Sequence, residues 1–167
     1  MHYLLYKHLT GATYSGSIEK DMTIQEFTPK PFRLFADWEK QKDLATFIFR
    51  TYISILTFGK TRLFCIIDNN GRVRHSAYVI PKNIKYSFLK KGEYSIGPCN
   101  TPESYRGQGL YPYMLNYITS RDNRSSYYVF IREDNQASRR GAEKAGFVMC
   151  YDKIKDTKVL KIFKLVK

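Results

Sequence analysis

The chain has 167 residues, enough to bury a core as one domain (1–167) without metal or disulfide staples. Hydrophobic residues make up 43% and aromatic residues 16%, which excludes a disordered chain, while 28 Lys plus Arg against 15 Asp plus Glu leave a formal charge of +13. That field attracts nucleic acid, acidic membrane and phosphate-bearing cofactors alike, and a merely solvated basic surface has the same composition.

Residues 2–7 predict a short strand. Nothing around it forms a long apolar run with a cleavage site, and no segment approaches the roughly 20 apolar residues that span a bilayer. From Gly11 to Lys30 the chain is polar and punctuated and is expected to be mostly loop. Pro31 to Thr57 predicts a helical stretch in two pieces, with Leu44, Phe47, Ile48, Thr51, Tyr52 and Ile55 recurring on one face and Glu39, Lys40, Lys42 and Asp43 at its polar start. Two strands follow, Arg62–Ile67 and Arg72–Ile80, joined by the tight-turn sequence Asp68-Asn69-Asn70-Gly71. Pro81 ends the second. A basic connector, Lys82 to Gly92, leads to a strand at Glu93–Cys99.

Tyr105-Arg106-Gly107-Gln108-Gly109-Leu110 then opens a helix whose buried stripe is Leu110, Met114, Tyr117 and Ile118, with Pro112 in the first turn, where its missing amide costs little. A strand at Ser126–Arg132 and a helix at Asn135–Lys144 complete a strand, turn, helix, strand, helix order that signals an α/β domain. In the tail, Val159, Ile162, Phe163 and Val166 fall between lysines. Taken alone they make a basic amphipathic helix able to lie on an anionic surface; within an α/β domain they make a closing strand.

The cysteines, Cys65, Cys99 and Cys150, are odd in number and far apart, and His2, His8 and His75 are the only histidines, so neither a disulfide framework nor a metal site is expected. A reducing, cytoplasmic setting is the natural expectation.

The turn at 106–109 carries the clearest chemical signal. The first amides of a helix lack internal partners and sit at the positive end of its dipole, so a phosphate placed there receives several N–H bonds. Gly107 and Gly109 let the backbone approach such a group, and Arg106 adds a permanent cation. Glycines in strand-to-helix turns also occur for steric reasons alone.

A second segment changes the weight of the first. Asn135-Gln136-Ala137-Ser138, followed by Glu143-Lys144-Ala145-Gly146-Phe147, resembles the second signature of the GNAT acetyltransferases, and Arg106 to Tyr111 is similar to their first. That first motif runs Arg or Gln, two residues, Gly, one residue, then Gly or Ala. Arg106 and Gly109 match, and Tyr111 stands where a small residue is expected. The resemblance covers residues 61–150. It implies an α+β GNAT fold: a single mixed, mostly antiparallel central sheet flanked by helices and closed by two antiparallel strands, here Phe147–Asp152 and Val159–Val166.

It also implies direct acyl transfer from acetyl-CoA, or another acyl-CoA, to a small-molecule amine acceptor, without a covalent enzyme intermediate. Backbone around Cys99, Asn100 and Thr101 would pair with the pantetheine arm and polarise the carbonyl. Amides of Arg106, Gly107, Gln108, Gly109, Leu110 and Tyr111 would hold the pyrophosphate, with Asn135 and Ser138 near the pantetheine. Glu93, Glu103, Tyr105 and Ser138 are the acid–base candidates; Glu103 also reads as a solvated charge and Tyr105 as packing. Many GNAT enzymes place an acidic Tyr in the second helix, seven residues after the Asn, where this chain has Ala142. Cys99 reads as a small strand residue or as a nucleophile, although no His lies near it in sequence. The charge favours an anionic acceptor such as a nucleotide-linked amino sugar. A non-catalytic CoA or anion binder is the alternative, or a basic nucleic-acid or membrane-surface binder using residues 82–91 and the tail, though nucleic acid is not the expected partner. A homodimer is compatible with the sequence.

Overall fold

A computed structural model describes residues 2–29, 44–83, 85–122, 124–156 and 163–165. Its centre is an eight-stranded mixed sheet: β1 (His2–His8), β2 (Met22–Phe27), β3 (Arg62–Asp68), β4 (Val73–Pro81), β5 (Glu93–Asn100), β6 (Ser126–Arg132), β7 (Phe147–Asp156) and β8 (Phe163–Leu165), in the order β2-β3-β4-β5-β6-β1-β7-β8. Every neighbouring pair is antiparallel except β5 with β6. Helix α1 (Leu44–Leu56) covers one face, and α2 (Leu110–Arg121) and α3 (Gln136–Lys144) cover the other. This is the α+β layout expected. Among the described residues no helix is long and apolar enough to cross a membrane.

The core follows from strand alternation. Leu4, Tyr6, Phe64, Ile66, Ala77, Val79, Ile96, Val129 and Ile131 turn toward α2 and α3, meeting Leu110, Met114, Leu115 and Ile118. Leu5, Leu63, Cys65, Ile67, Tyr78 and Ile80 turn the other way, against Ile53 of α1 and against Tyr86 and Leu89 from the connector after β4. Three consecutive buried residues, Leu4-Leu5-Tyr6, mark a strand covered on both faces, and β1 does lie deep in the sheet, between β6 and β7.

Three expectations change. The polar stretch before Lys30 contains β2, an edge strand paired with β3, in which Met22 and Ile24 turn toward one core and Phe27 toward the other among Thr23, Gln25 and Glu26. An edge strand needs little apolar patterning, so its signal is faint. Ile53 and Ser54 are the buried residues of α1, with Phe49 partly buried beside them, whereas Ile48, Tyr52 and Ile55 are exposed. Helix α1 is apolar nearly all round, so periodicity could not choose its face. The first piece of that helical stretch, 31–43, lies outside the described residues, as do 159–162 and 166 of the tail. Finally, β7 extends to Asp156, beyond Asp152, and β8 spans 163–165 against it.

The hairpin at 68–71 forms as its sequence predicts. Asp68 Oδ1 accepts the amides of Asn70 (2.9 Å) and Arg72 (2.8 Å), and Gly71 takes a φ of 71°. Its other oxygen pairs with Arg74, whose guanidinium lies 3.8 Å from the centre of the Tyr105 ring.

Candidate cofactor and active site

The feature that defines the site is a fork in the sheet. Strands β5 and β6 pair in parallel from Glu93↔Ser126 to Ile96↔Val129. Beyond that point each continues with its other neighbour: β5 along β4 as far as Ser76↔Asn100, and β6 along β1 as far as Tyr3↔Arg132. Past that register the two strands part, with residues 97–100 of β5 on one side of the cleft and residues 131–132 of β6 on the other. Backbone N–H and C=O groups along such edges need partners, and an extended chain carrying amides can supply them.

The glycine turn stands at the mouth of this fork. After β5 the chain makes a short 3-10 turn (Glu103–Tyr105) and enters α2 through Gly107 (φ 79°) and Gly109 (φ 75°), the N-cap. Both lie in the left-handed region that favours glycine. A Cβ on Gly107 would meet nothing within 4 Å, so the turn is open on its outer side. Arg106 is exposed, and its Nε donates to the Thr101 carbonyl (3.3 Å), bracing the loop. Pro112 sits inside the first turn, leaving the preceding α2 amides to face outward.

Sequence reasoning missed a residue that borders this cradle. Tyr14, in the loop after β1, donates its backbone amide to Asn116 Oδ1 of α2 (3.0 Å), and its hydroxyl lies 3.1 Å from where a Cβ on Gly109 would stand. Nothing in the polar 9–21 stretch marks that role. Asn135, singled out from its motif, is the N-cap of α3: its Oδ1 accepts the Ser138 amide at 3.1 Å.

The acid–base candidates scatter. Glu93 lies at the closed end of the β5–β6 pair, where it accepts the Tyr128 hydroxyl (3.1 Å) and the Lys90 amide (2.7 Å). Burial, followed by that carboxylate, pushes Tyr128 up to about 12. Glu103 is exposed on the 3-10 turn, and Tyr105 is the platform beneath Arg74. Ala142 is fully buried in the core between α3 and the sheet, so the phenol expected at that place is absent. Burial pushes the Cys99 thiol up to about 12, the opposite of an activated nucleophile.

Two further groups come together only through folding. His75 of β4 is buried; its Nδ1 shares a 2.7 Å hydrogen bond with Thr101 Oγ1, and its Nε2 finds no partner among the described residues. Burial lowers it to about 4, so it is neutral at physiological pH. On α3, Arg139 Nε donates to the Tyr6 hydroxyl (3.1 Å), which donates in turn to Glu143 Oε1 (3.3 Å).

A mixed sheet that forks between its one parallel pair, with a glycine turn and helix at the mouth, is the GNAT fold, and this chain has it. It is similar to an acetyltransferase from the GNAT family from Colwellia psychrerythraea, at 19% identity and a TM-score of 0.59 over 89% of this chain and 53% of that one. A GCN5-related N-acetyltransferase from Sphaerobacter thermophilus is similar at 12% identity and a TM-score of 0.58, over 89% and 48% of the two chains. A spermidine N-acetyltransferase chimera from Vibrio cholerae is similar at 13% and 0.50, over 84% and 87%. The chain thus spans about half the length of the first two. No family model matches the chain, and no curated protein matches its sequence.

Proposed function

We propose that this chain is an acyl-CoA dependent N-acyltransferase that moves an acetyl group directly onto an amine. The observation that carries the proposal is the β5–β6 fork aligned with the glycine turn of α2. Acyl-CoA is an extended, amide-bearing arm that ends in a diphosphate, and each part has a matching surface: strand edges for the arm, helix amides for the diphosphate. The openness beside Gly107 and the left-handed φ at Gly109 fit close approach of such an anion. The likeness to acetyltransferases supports the same reaction class.

Acetyl-CoA supplies the activated carbonyl. Amides from Arg106 to Tyr111 would hold its diphosphate, with the Tyr14 hydroxyl at their margin. Backbone of Cys99, Asn100 and Thr101 would align the arm and donate to the carbonyl oxygen, where negative charge develops. Asn135 and Ser138 would lie near the arm from the α3 side. The formal charge of +13 favours an anionic acceptor, of which a nucleotide-linked amino sugar is one chemical class.

A second reading is a CoA-binding module without turnover, favoured by the fully buried Ala142 at the place of the expected acid. Calorimetry with acetyl-CoA, followed by thiol release across a panel of amines, separates the two. Binding with amine-dependent thiol release supports the enzyme; binding without release on any amine supports the module. No binding at moderate salt would sink both.

A further inference from the structure

We infer that the side-chain hydroxyl of Thr101 donates a hydrogen bond to the amide-bearing arm of acyl-CoA, and that buried His75 is the positioning residue that aims it. The inference rests on the acyl-CoA reading above and adds a side-chain contact to the backbone contacts proposed there.

Thr101 stands where the fork meets the glycine turn. Asn100, opposite Ser76, is the last residue of β5, and one further step of that antiparallel register sets Thr101 opposite His75. The two side chains meet there, His75 Nδ1 lying 2.7 Å from Thr101 Oγ1. From the other side, Arg106 Nε in the glycine turn donates to the Thr101 carbonyl at 3.3 Å. Residue 101 is therefore held by both the sheet and the turn. The His75 ring neighbours that of Tyr111 at the start of α2, with centroids 5.9 Å apart, so the pair lies on the α2 side of the sheet, as the turn does. An arm that runs from a diphosphate at that turn into the fork passes residue 101. Thr101 is only half-buried, which leaves its hydroxyl within reach of such an arm.

The direction of the hydroxyl follows from His75. That residue is 1% exposed, and its Nε2 has no hydrogen-bond partner among the described residues. A neutral imidazole carries one N–H and one bare nitrogen, so two arrangements are available. With the proton on Nε2, a donor is buried without an acceptor, and Thr101 spends its own hydrogen on Nδ1. With the proton on Nδ1, the donor is satisfied by Thr101, and only a lone pair goes without a partner. Orphaned N–H groups are the rarer of the two in folded proteins, which favours the second arrangement.

Thr101 Oγ1 then accepts from His75 and keeps its hydrogen to donate. Among the described residues it has no second partner that would take it. The bond to His75 fixes one lone pair of the oxygen, so the hydrogen is confined to directions away from the imidazole. Amide carbonyls of the arm are acceptors of the matching kind. Burial lowers His75 to about 4, so the ring stays neutral at physiological pH and this arrangement persists there.

The test uses the full chain. Heteronuclear NMR of the imidazole nitrogens in free wild type should show His75 Nδ1 protonated and Nε2 bare; the reverse tautomer overturns the inference without touching the acyl-CoA reading. Calorimetry with CoA then measures the contact. Thr101→Val, checked for an unchanged melting temperature, should bind CoA about fivefold more weakly, the effect of one neutral hydrogen bond. Thr101→Ser keeps the hydroxyl and should bind as wild type does; a loss equal to that of Thr101→Val would assign the effect to the methyl and overturn the inference. His75→Phe, which keeps a ring beside Tyr111, should weaken CoA in the same direction. Added to Thr101→Val it should weaken CoA no further, because His75 acts only through the hydroxyl. Full CoA affinity in folded Thr101→Val, or an additive loss in the double variant, overturns the inference while the acyl-CoA reading stands. Failure of wild type to bind CoA overturns both.

Discussion

His75 offers the sharpest quantitative test of how this site is built. Its imidazole is buried, bonded at Nδ1 to Thr101, and held at about 4 by burial against an ordinary 6.5. The folded value lies below the unfolded one, so between those limits the unfolded chain binds the extra proton. The contribution to stability is complete above pH 6.5 and drains away as pH falls through the window. At pH 5 the unfolded imidazole is almost fully protonated and the folded one only about a tenth protonated, a bias of roughly thirtyfold, or about 2 kcal/mol. Urea denaturation at pH 7 and pH 5 should therefore show a midpoint shift of about 1 M more in wild type than in His75→Gln, which cannot titrate. His8, also lowered by burial, acts in the same direction, but it is present in both proteins and cancels. Equal midpoint shifts in the two proteins would refute the claim that His75 is folded as a buried neutral group.

Three other substitutions probe separate parts of the site. Gly109→Trp should abolish acetyl-CoA binding in calorimetry, since its side chain must leave from a φ of 75° toward the Tyr14 hydroxyl; unchanged affinity in a folded variant would put the cradle elsewhere. Gly146→Ala should lower the melting temperature by about 5 °C or more, because a left-handed alanine costs roughly 1–2 kcal/mol and its Cβ would also fall 2.2 Å from that of Ala12. Asn135→Ala should lose about 1 kcal/mol of stability in urea denaturation through loss of the α3 cap. Asn135→Asp keeps the cap, so a fall in acetyl-CoA affinity at full stability marks a binding role, and unchanged affinity limits Asn135 to capping.

Local patterning made much of this fold legible. The β6 limits, Ser126–Arg132, and the Asn135 cap of α3 were readable because strand alternation, turn glycines and a capping residue agree over a short span. What could not be read depends on distant partners. Strand β1 pairs with β6 and β7, from the far end of the chain, and no local pattern encodes that insertion. The face of α1 was misread because apolar residues surround it, and the choice fell to its packing against Tyr78 and Ile80. Likewise, His75 belongs to no motif. It meets Thr101 because β4 and β5 pair in one register, and an isolated histidine in an alternating strand carries no sign of it.

The same distinction explains why the proposed cofactor cradle has a contiguous sequence signature and the proposed catalytic groups have none. Binding a diphosphate uses backbone amides at one turn, so its signature is contiguous: Arg106, Gly107, Gln108, Gly109. Serving a leaving sulfur needs one hydroxyl at one point in space, and the chain can deliver it from any element bordering the fork. A motif that expects the hydroxyl on α3 therefore reports a gap at Ala142. Packing shows a glycine at 141 and a tyrosine ring from α2 against it. A core packed near crystal density leaves no spare volume, so a ring as large as that of Tyr111 requires a residue as small as glycine against it at 141. The pair at 111 and 141 should then covary, with a small residue at 111 wherever a bulky one stands at 141. The double variant Tyr111→Ala/Gly141→Leu should recover more stability than the two single losses combined predict.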